Sequence, residues 1–340
     1  MPALEIISKT VFKEVVTSVE LVDLNGNGKS NVIVTTLNGD VRVYDFNRED
    51  KKPLNELCKI EDLPPLAAIG VGDVTGDGVP DFVMGGLDNT MRVLVYMDET
   101  ISVKASTPLG SLPTAIASLN VLDDTSAEVI VSTNDGSMRC YGWYDVALDK
   151  IAHAVLDRPV FSIWPLETKG MPYSRFVFGD DSGYFFIYQY ADDRLHERGK
   201  VSVGGEIGLI STGDVTEDHN SEVMTLSDNR TLSLFGIVKG AMEKIDSIRA
   251  PNPVNAIRMG RFWDLDPARG QIVVSHANSS IGLLSVVGRR LTEEAVIKTT
   301  KKSTESSISV GDIDGNSRDE IVQAVGNNLY VIDFKDDLVV

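Results

Sequence analysis

The sequence predicts an all-β chain: a seven-bladed β-propeller of four-stranded antiparallel blades, the last blade closed by the N-terminal strand. Three observations predict it. An acidic loop motif recurs about every 48 residues, short strands and turns keep one order around each copy, and the two ends of the chain are complementary in phase. With 340 residues, 42% of them hydrophobic, the chain has core enough for one large repeat domain. Seven repeats use up residues 1–340, which are expected to form a single domain.

The clearest copies of the motif are DLNGNGKSNVIV from Asp23, DVTGDGVPDFVM from Asp73, DVTEDHNSEVMT from Asp214 and DIDGNSRDEIVQ from Asp312. NVLDDTSAEVIV from Asn120 is weaker. Two further copies keep the apolar frame and have lost the acids, in RFVFGDD (Arg175–Asp181) and QIVVSHA (Gln271–Ala277).

Each repeat opens on a short strand of apolar and small residues: SVELV, AAIGVG, TAIASL, FSIWPL, GLISTG, NAIRMG and SISVG. The acidic loop follows, then a second strand and a turn rich in Asn, Asp and Gly, the residues that tolerate hairpin geometry. A third strand alternates and carries aromatic or β-branched residues: VRVYDF, MRVLVY, MRCYGW, YFFIYQY, LSLFGI, IGLLSV and LYVIDF. Less regular segments such as ISVKAS, KIAHAV and KVSVGG supply a fourth. The chain stops after a third strand with no successor, and begins with LEIISKTVF, a strand with no hairpin before it. The opening strand is therefore expected to complete the last blade, which would cover an edge that otherwise invites aggregation.

The loop itself has two readings. Asp and Gly form turns through Asx hydrogen bonds, and oxygen side chains at positions 1, 3, 5 and 9 of a curled loop, with a carbonyl at 7, also suit a hard cation. Three carboxylates packed this closely would repel one another, which favours a cation wherever three occur. Asp73, Thr75, Asp77, Val79 and Asp81 make one candidate set. Asp312, Asp314, Asn316, Arg318 and Glu320 make a second, and Asp214, Thr216, Asp218, Asn220 and Glu222 a third. Asp23, Asn25, Asn27, Lys29 and Asn31 carry one formal charge and are expected to bind weakly. Leu122 spoils the Asn120 copy, which is expected to be a metal-free turn. Ca²⁺ is the expected ion, with Mg²⁺ the second choice, in a structural role. An apolar strand follows the loop in place of a helix, so it is not an EF-hand.

These repeats resemble the FG-GAP repeats of integrin α-chain propellers, whose calcium loops read DxDGDGxxD. The resemblance covers essentially the whole chain, although only fragments such as MGGLDN (Met84–Asn89) stand for the FG and GAP elements. Glu at position 9, in SEVMT and DEIVQ, is more similar to intracellular relatives: the propellers of Bardet-Biedl complex subunits and the integrin-like FG-GAP proteins of nutrient-signalling scaffolds. The resemblance implies a non-catalytic platform for other proteins, with divalent ions stiffening selected blades. Integrin ligand binding depends on a partner subunit and is not carried over.

Composition narrows the alternatives. Fifty acids against 32 bases leave a net charge of −18, a field that repels nucleic acid and anionic lipid. Cys58 and Cys140 lie far apart, outside any CxxC pattern, and are expected to be buried or edge thiols. No leader pattern and no apolar run of spanning length occurs, so a cytoplasmic chain is expected; a secreted chain with its leader removed would read the same. His153, His196, His219 and His276 show no HxH or HExxH spacing, and phosphate loops and GxSxG are absent, so no enzyme is expected. The alternatives are a secreted glycan-binding propeller, against which no blade repeats an aromatic at an equivalent loop position, and a propeller hydrolase or lyase.

Two surface features remain. Arg289, Arg290, Lys298, Lys301 and Lys302 in GRRLTEEAVIKTTKKS suit an acidic partner, and suit better a solvated outer strand. Trp143, Tyr144, Phe262 and Trp263 suit recognition and inter-blade packing equally.

Overall fold

A computed structural model describes residues 4–122, 124–169, 175–260, 270–299 and 306–334. Among them lie seven sheets of four strands, the seven-bladed β-propeller class that the repeats predict. After β1 (Leu4–Val11), the first sheet is β2 (Val16–Val22), β3 (Asn31–Thr36), β4 (Val41–Phe46) and β5 (Leu54–Ile60). The second is β6 (Leu66–Gly72), β7 (Asp81–Gly86), β8 (Thr90–Met97) and β9 (Thr100–Pro108). The third is β10 (Pro113–Leu119), β11 (Glu128–Thr133), β12 (Ser137–Tyr144) and β13 (Ala147–Val155). The fourth is β14 (Ile163–Leu166), β15 (Arg175–Gly179), β16 (Tyr184–Ala191) and β17 (Arg194–Ser202). The fifth is β18 (Ile207–Gly213), β19 (Glu222–Ser227), β20 (Thr231–Val238) and β21 (Ala241–Arg249). The sixth is β22 (Val254–Gly260), β23 (Gln271–His276), β24 (Ser280–Val287) and β25 (Arg290–Lys298). The seventh joins β26 (Ser306–Gly311), β27 (Glu320–Val325) and β28 (Asn328–Phe334) to β1.

Closure of that last sheet is as expected: β1 pairs antiparallel with β28 from Leu4↔Phe334 to Val11↔Asn328. The chain divides into two compact units. One comprises Met1–Leu37, Val41–Leu57 and Ser211–Val340, and the other Asn38–Asp40 and Cys58–Ile210.

Position within the sheet explains composition within the repeat. The second strands β3, β7, β11, β19, β23 and β27 are buried at every residue. A strand covered on both faces reads as a near-continuous apolar run, which is why NVIVTT and EVIVST lack alternation. The fourth strands are largely exposed, as in β9 and β21. Cores form where neighbouring sheets meet: Val32 and Val34 pack with Val322, Ala324 and Val331 in the first unit. In the second, Val83 and Val93 pack with Val129 and Val131.

The hairpins leading to the fourth strand are more regular than their sequences suggested. Asp98 and Glu99, Asp192 and Asp193, Lys239 and Gly240, and Gly288 and Arg289 all take positive φ, the two-residue turn whose twist matches paired strands. A register shift recurs at the middle of each, as at Val93/Leu94 and Ile187/Tyr188. Two sequence boundaries are corrected. β17 ends at Ser202, so the Gly pair of KVSVGG lies beyond it, and β14 begins at Ile163, leaving Phe161 outside the strand and 68% exposed.

Candidate metal centre

Each acidic loop joins the first and second strands of its blade, and one hydrogen-bond scheme recurs in the copies that begin at Asp23, Asp73, Asp214 and Asp312. The position 1 carboxylate caps the curl. Asp73 accepts from the amides of Gly76 (2.8 Å), Asp77 (3.1 Å) and Gly78 (2.8 Å). Asp312 accepts from Gly315, Asn316 and Ser317, and Asp23 from Asn25, Asn27 and Gly28. Asp214 accepts from Asp218 and His219. Gly76 and Gly78 stand at φ +74° and +86°, where a side chain would strain the turn. Position 5 then takes the amide of position 7: Asp77 from Val79, Asn27 from Lys29, Asp218 from Asn220 and Asn316 from Arg318.

Position 9 is the first residue of the second strand and is buried in the five copies that keep the loop: Asn31, Asp81, Glu128, Glu222 and Glu320. Its side chain reaches back to the amides at positions 2 and 3. Asp81 Oδ2 accepts from Val74 (2.9 Å) and Thr75 (2.8 Å), Glu222 Oε2 from Val215 and Thr216, and Glu128 Oε2 from Val121 and Leu122. Asn31 accepts from Leu24. In the five copies that keep the acidic or Asn-bearing loop, position 2 is a buried apolar residue: Leu24, Val74, Val121, Val215 and Ile313. That plug anchors the loop to the core, and the regularity could have been read from the sequence.

The loops also bridge blades. The carbonyl of Asp73 accepts the Ala127 amide (2.6 Å), and that of Asp312 accepts the Ser30 amide (2.7 Å). Ala127 and Ser30 hold position 8 of the following repeat. At the same position in the sixth repeat, Gly270 approaches so closely that a Cβ there would lie 2.3 Å from Val215 Cα.

Among the described residues, one group of three carboxylates brings its oxygens within 4.8 Å of one another: Asp312, Asp314 and Glu320. Glu320 Oε2 accepts from Ile313 (3.0 Å), while Oε1 is buried with no hydrogen-bond partner. Burial pushes this carboxyl up to about 8, with the charges of Asp314, Asp333 and Asp312 adding to the shift. The Asp73 and Asp214 loops do not gather three acids this closely. Thr216 Oγ1 donates to Glu222 Oε1 (2.9 Å), so both oxygens of that carboxylate are used within the loop. In the Asp73 loop the buried Thr75 hydroxyl has no hydrogen-bond partner, and burial raises Asp81 to about 6. Lys29 turns its ammonium away from its own loop to Asp45 (3.5 Å) and the Phe46 carbonyl.

A cation already stands beside the Asp312 set. Arg48, in the β4–β5 connection, pairs with the buried Asp333 and lies 3.7 Å from Asp314 Oδ2. Sequence spacing could not have found it, because it is brought in from another repeat.

With this geometry, the likeness to known proteins is one of architecture. It resembles BBS1N in fold. Two crystal structures of BBS1N in complex with ARL6DN, one soaked with mercury and one with lead, match with TM-scores of 0.70 and 0.69. Each is 10% identical over 98% of this chain, covering 97% and 98% of the matched chain respectively. No protein-family model matches the sequence, and neither does any curated protein.

The other candidates resolve as follows. Cys140 is buried and Cys58 half-buried, and neither is in a disulfide. His219 is exposed in its loop, as expected, whereas His276 is buried, which lowers its pKa. Arg290 and Lys298 bound β25, a largely exposed fourth strand, while Lys301 and Lys302 lie outside the described residues. Trp143 packs against the core shared by the second and third sheets, and Tyr144 is 49% exposed. Phe262 and Trp263 also lie outside the described residues.

Proposed function

We propose that the chain is a non-catalytic cytoplasmic platform for other proteins, and that its acidic loops take up Ca²⁺, or more weakly Mg²⁺. The Asp312 set ranks first, the Asp214 and Asp73 sets follow, and the Asp23 set is weakest. The observation that carries the metal reading is Glu320: its Oε1 is buried with no donor, and its carboxylate gathers with those of Asp312 and Asp314. A buried, unpaired acceptor is costly, and hard cations seek such oxygens. A bound ion would neutralise the three carboxylates and stiffen the loop. Asp312 would go on capping the backbone curl and Glu320 would go on holding the Ile313 amide.

Support for a protein partner is the likeness to BBS1N, a propeller crystallised with ARL6DN. Matching chains number 1330, and a fold so widely shared does not choose a function, so the partner has to be captured. The two thiols, neither in a disulfide, suit a reducing compartment.

Affinity capture from native lysate, with and without chelator, tests both halves when joined to calcium-dependent melting. A reproducible protein partner and a melting temperature raised by Ca²⁺ are expected. Ion at about 100 times its dissociation constant adds about 2.7 kcal/mol, and Glu320→Gln should remove most of that response. Recovery of bound sugar, or turnover of a glycan, would overturn the platform reading; a melting curve unmoved by Ca²⁺ would overturn the metal reading.

A further inference from the structure

Within the second unit a cavity of about 140 Å³ opens between the end of the third sheet and the outer half of the fourth. Its lining combines three features: an aromatic wall of Phe178, Phe186 and Tyr188, three carboxylates in Asp157, Asp180 and Glu197, and an apolar rim at Val155. The aromatic wall is continuous. Phe178 stacks on Phe186 with centroids 5.4 Å apart and meets Tyr188 at 5.0 Å.

The strand pairing explains why these residues converge. Phe178 lies opposite Phe186 in β15 and β16, and Phe186 and Tyr188 are two residues apart on one face. The register shift between Ile187 and Tyr188 sets Tyr188 opposite Glu197. The facing wall is tied down at both ends. Leu156 donates its amide to the Gly136 carbonyl (2.8 Å), Val160 donates to Ser132 Oγ (3.3 Å), and Thr114 donates its hydroxyl to the Val160 carbonyl. Asp180 is held by the amide and hydroxyl of Ser182. The site is thus formed before any ligand arrives.

Charge and size then select the occupant. The one basic residue of the lining, Arg158, is committed to Asp181 at 2.5 Å on the exposed rim. Neither Asp157 nor Glu197 has a cation within ion-pair distance among the described residues. Beyond burial, the charges of Glu197 and Asp157 raise the Tyr188 pKa, so both carboxylates are felt at that phenol. Cavities for small ligands and cofactors run to about 300–1,000 Å³; this one suits a single side chain. Aromatic faces attract cations, and a planar guanidinium both stacks on such faces and forks to carboxylates where an ammonium cannot.

We propose that this inter-sheet cavity is a recognition site for one arginine side chain of a partner peptide. Val155, 78% exposed at the rim, would meet the apolar neighbours of that arginine. The inference deepens the platform reading above and rests on it for the source of the peptide.

The test uses the full chain labelled with 3-fluorotyrosine, with the Tyr188 fluorine signal assigned from Tyr188→Phe. The probe is acetyl-Gly-Arg-Gly-amide, and the control is the same peptide with citrulline, which keeps the shape and loses the charge. The arginine peptide is expected to move the Tyr188 signal saturably at millimolar concentrations, with little response to the citrulline peptide. The double variant Asp157→Asn, Glu197→Gln should weaken that binding about tenfold. Both sites are exposed, and an unchanged melting temperature in the double variant establishes that its fold is intact. Equal shifts with both peptides, or none with either, overturn the proposal. A protein partner captured equally by wild type and double variant, with no peptide response, overturns the cavity assignment alone and leaves the platform reading standing.

Discussion

The Asp73 and Asp312 loops share length, a glycine at position 4 and the position 1 cap, yet differ in what the position 9 carboxylate is left to do. Asp81 is short, and its Oδ2 alone takes the amides of Val74 and Thr75. Glu320 is one methylene longer; it takes the Ile313 amide with one oxygen, leaves the other buried without a hydrogen-bond partner, and brings its carboxylate together with those of Asp312 and Asp314. The Asp214 loop separates length from chemistry. Glu222 is also long, but Thr216 at position 3 donates a hydroxyl to its second oxygen. Asp314 at that position, when ionised, has nothing to donate. Position 3 therefore sets how much of the position 9 carboxylate is left over for a cation, which is why the Asp312 set ranks above the Asp214 set. Arg48 is the protein's partial answer in the Asp312 case.

Substitutions can break or sharpen this contrast. The largest effect is expected from Asp81→Ala, which strips two backbone amides of their acceptor at a site 1% exposed. A loss of about 2–5 kcal/mol should appear in urea denaturation in chelator, and a larger one in Ca²⁺; equal losses in both would make the Asp73 loop a metal-free turn. Arg48→Ala should cost about 1–3 kcal/mol in chelator, the buried-pair value reduced because the arginine is 39% exposed. Added Ca²⁺ should recover more stability in this variant than in wild type. Asp314→Thr, which copies the Asp214 loop, should stabilise the chelated protein by about 1 kcal/mol and lower the calcium response of the Asp312 site to that of the weaker Asp214 set; an undiminished response would refute the position 3 argument.

The smallest effect is a pH slope. Burial raises the pKa of Glu128, which belongs to none of the candidate sets. An acid whose folded value lies above its unfolded one of 4.5 contributes stability that is complete below 4.5 and lost as pH rises through the folded value. Stability of wild type relative to Glu128→Gln should therefore decline upward from pH 4.5, measured by paired denaturation curves in chelator.

Much of the fold was legible because each repeat restates it. EVIVST and NVIVTT announce buried second strands in words that most repeats echo, and the unpaired opening strand leaves β28 a partner. The Asp and Gly positions of the loops were equally plain. Less legible were features built from one residue per repeat acting across repeats. Arg48 meets Asp333 through folding alone, and the amides of Ser30 and Ala127 bridge blades through atoms every residue possesses. The aromatic wall escaped notice for a related reason. YFFIYQY reads as an ordinary third strand, and the meeting of Tyr188 with Glu197 depends on a register shift that no composition rule marks. The acids of the loops showed where a cation could go, while the donors that decide the matter, such as Thr216, lay outside the acidic pattern.

The pairing of β1 with β28 sets a timetable for biosynthesis. About 320 residues separate Val11 from its partner Asn328, so at about 5–20 residues per second β1 waits roughly 15–60 s before its mate leaves the ribosome. Throughout that interval LEIISKTV has no hydrogen-bonding neighbour of its own, and Lys9 in its midst discourages it from adopting a wrong one.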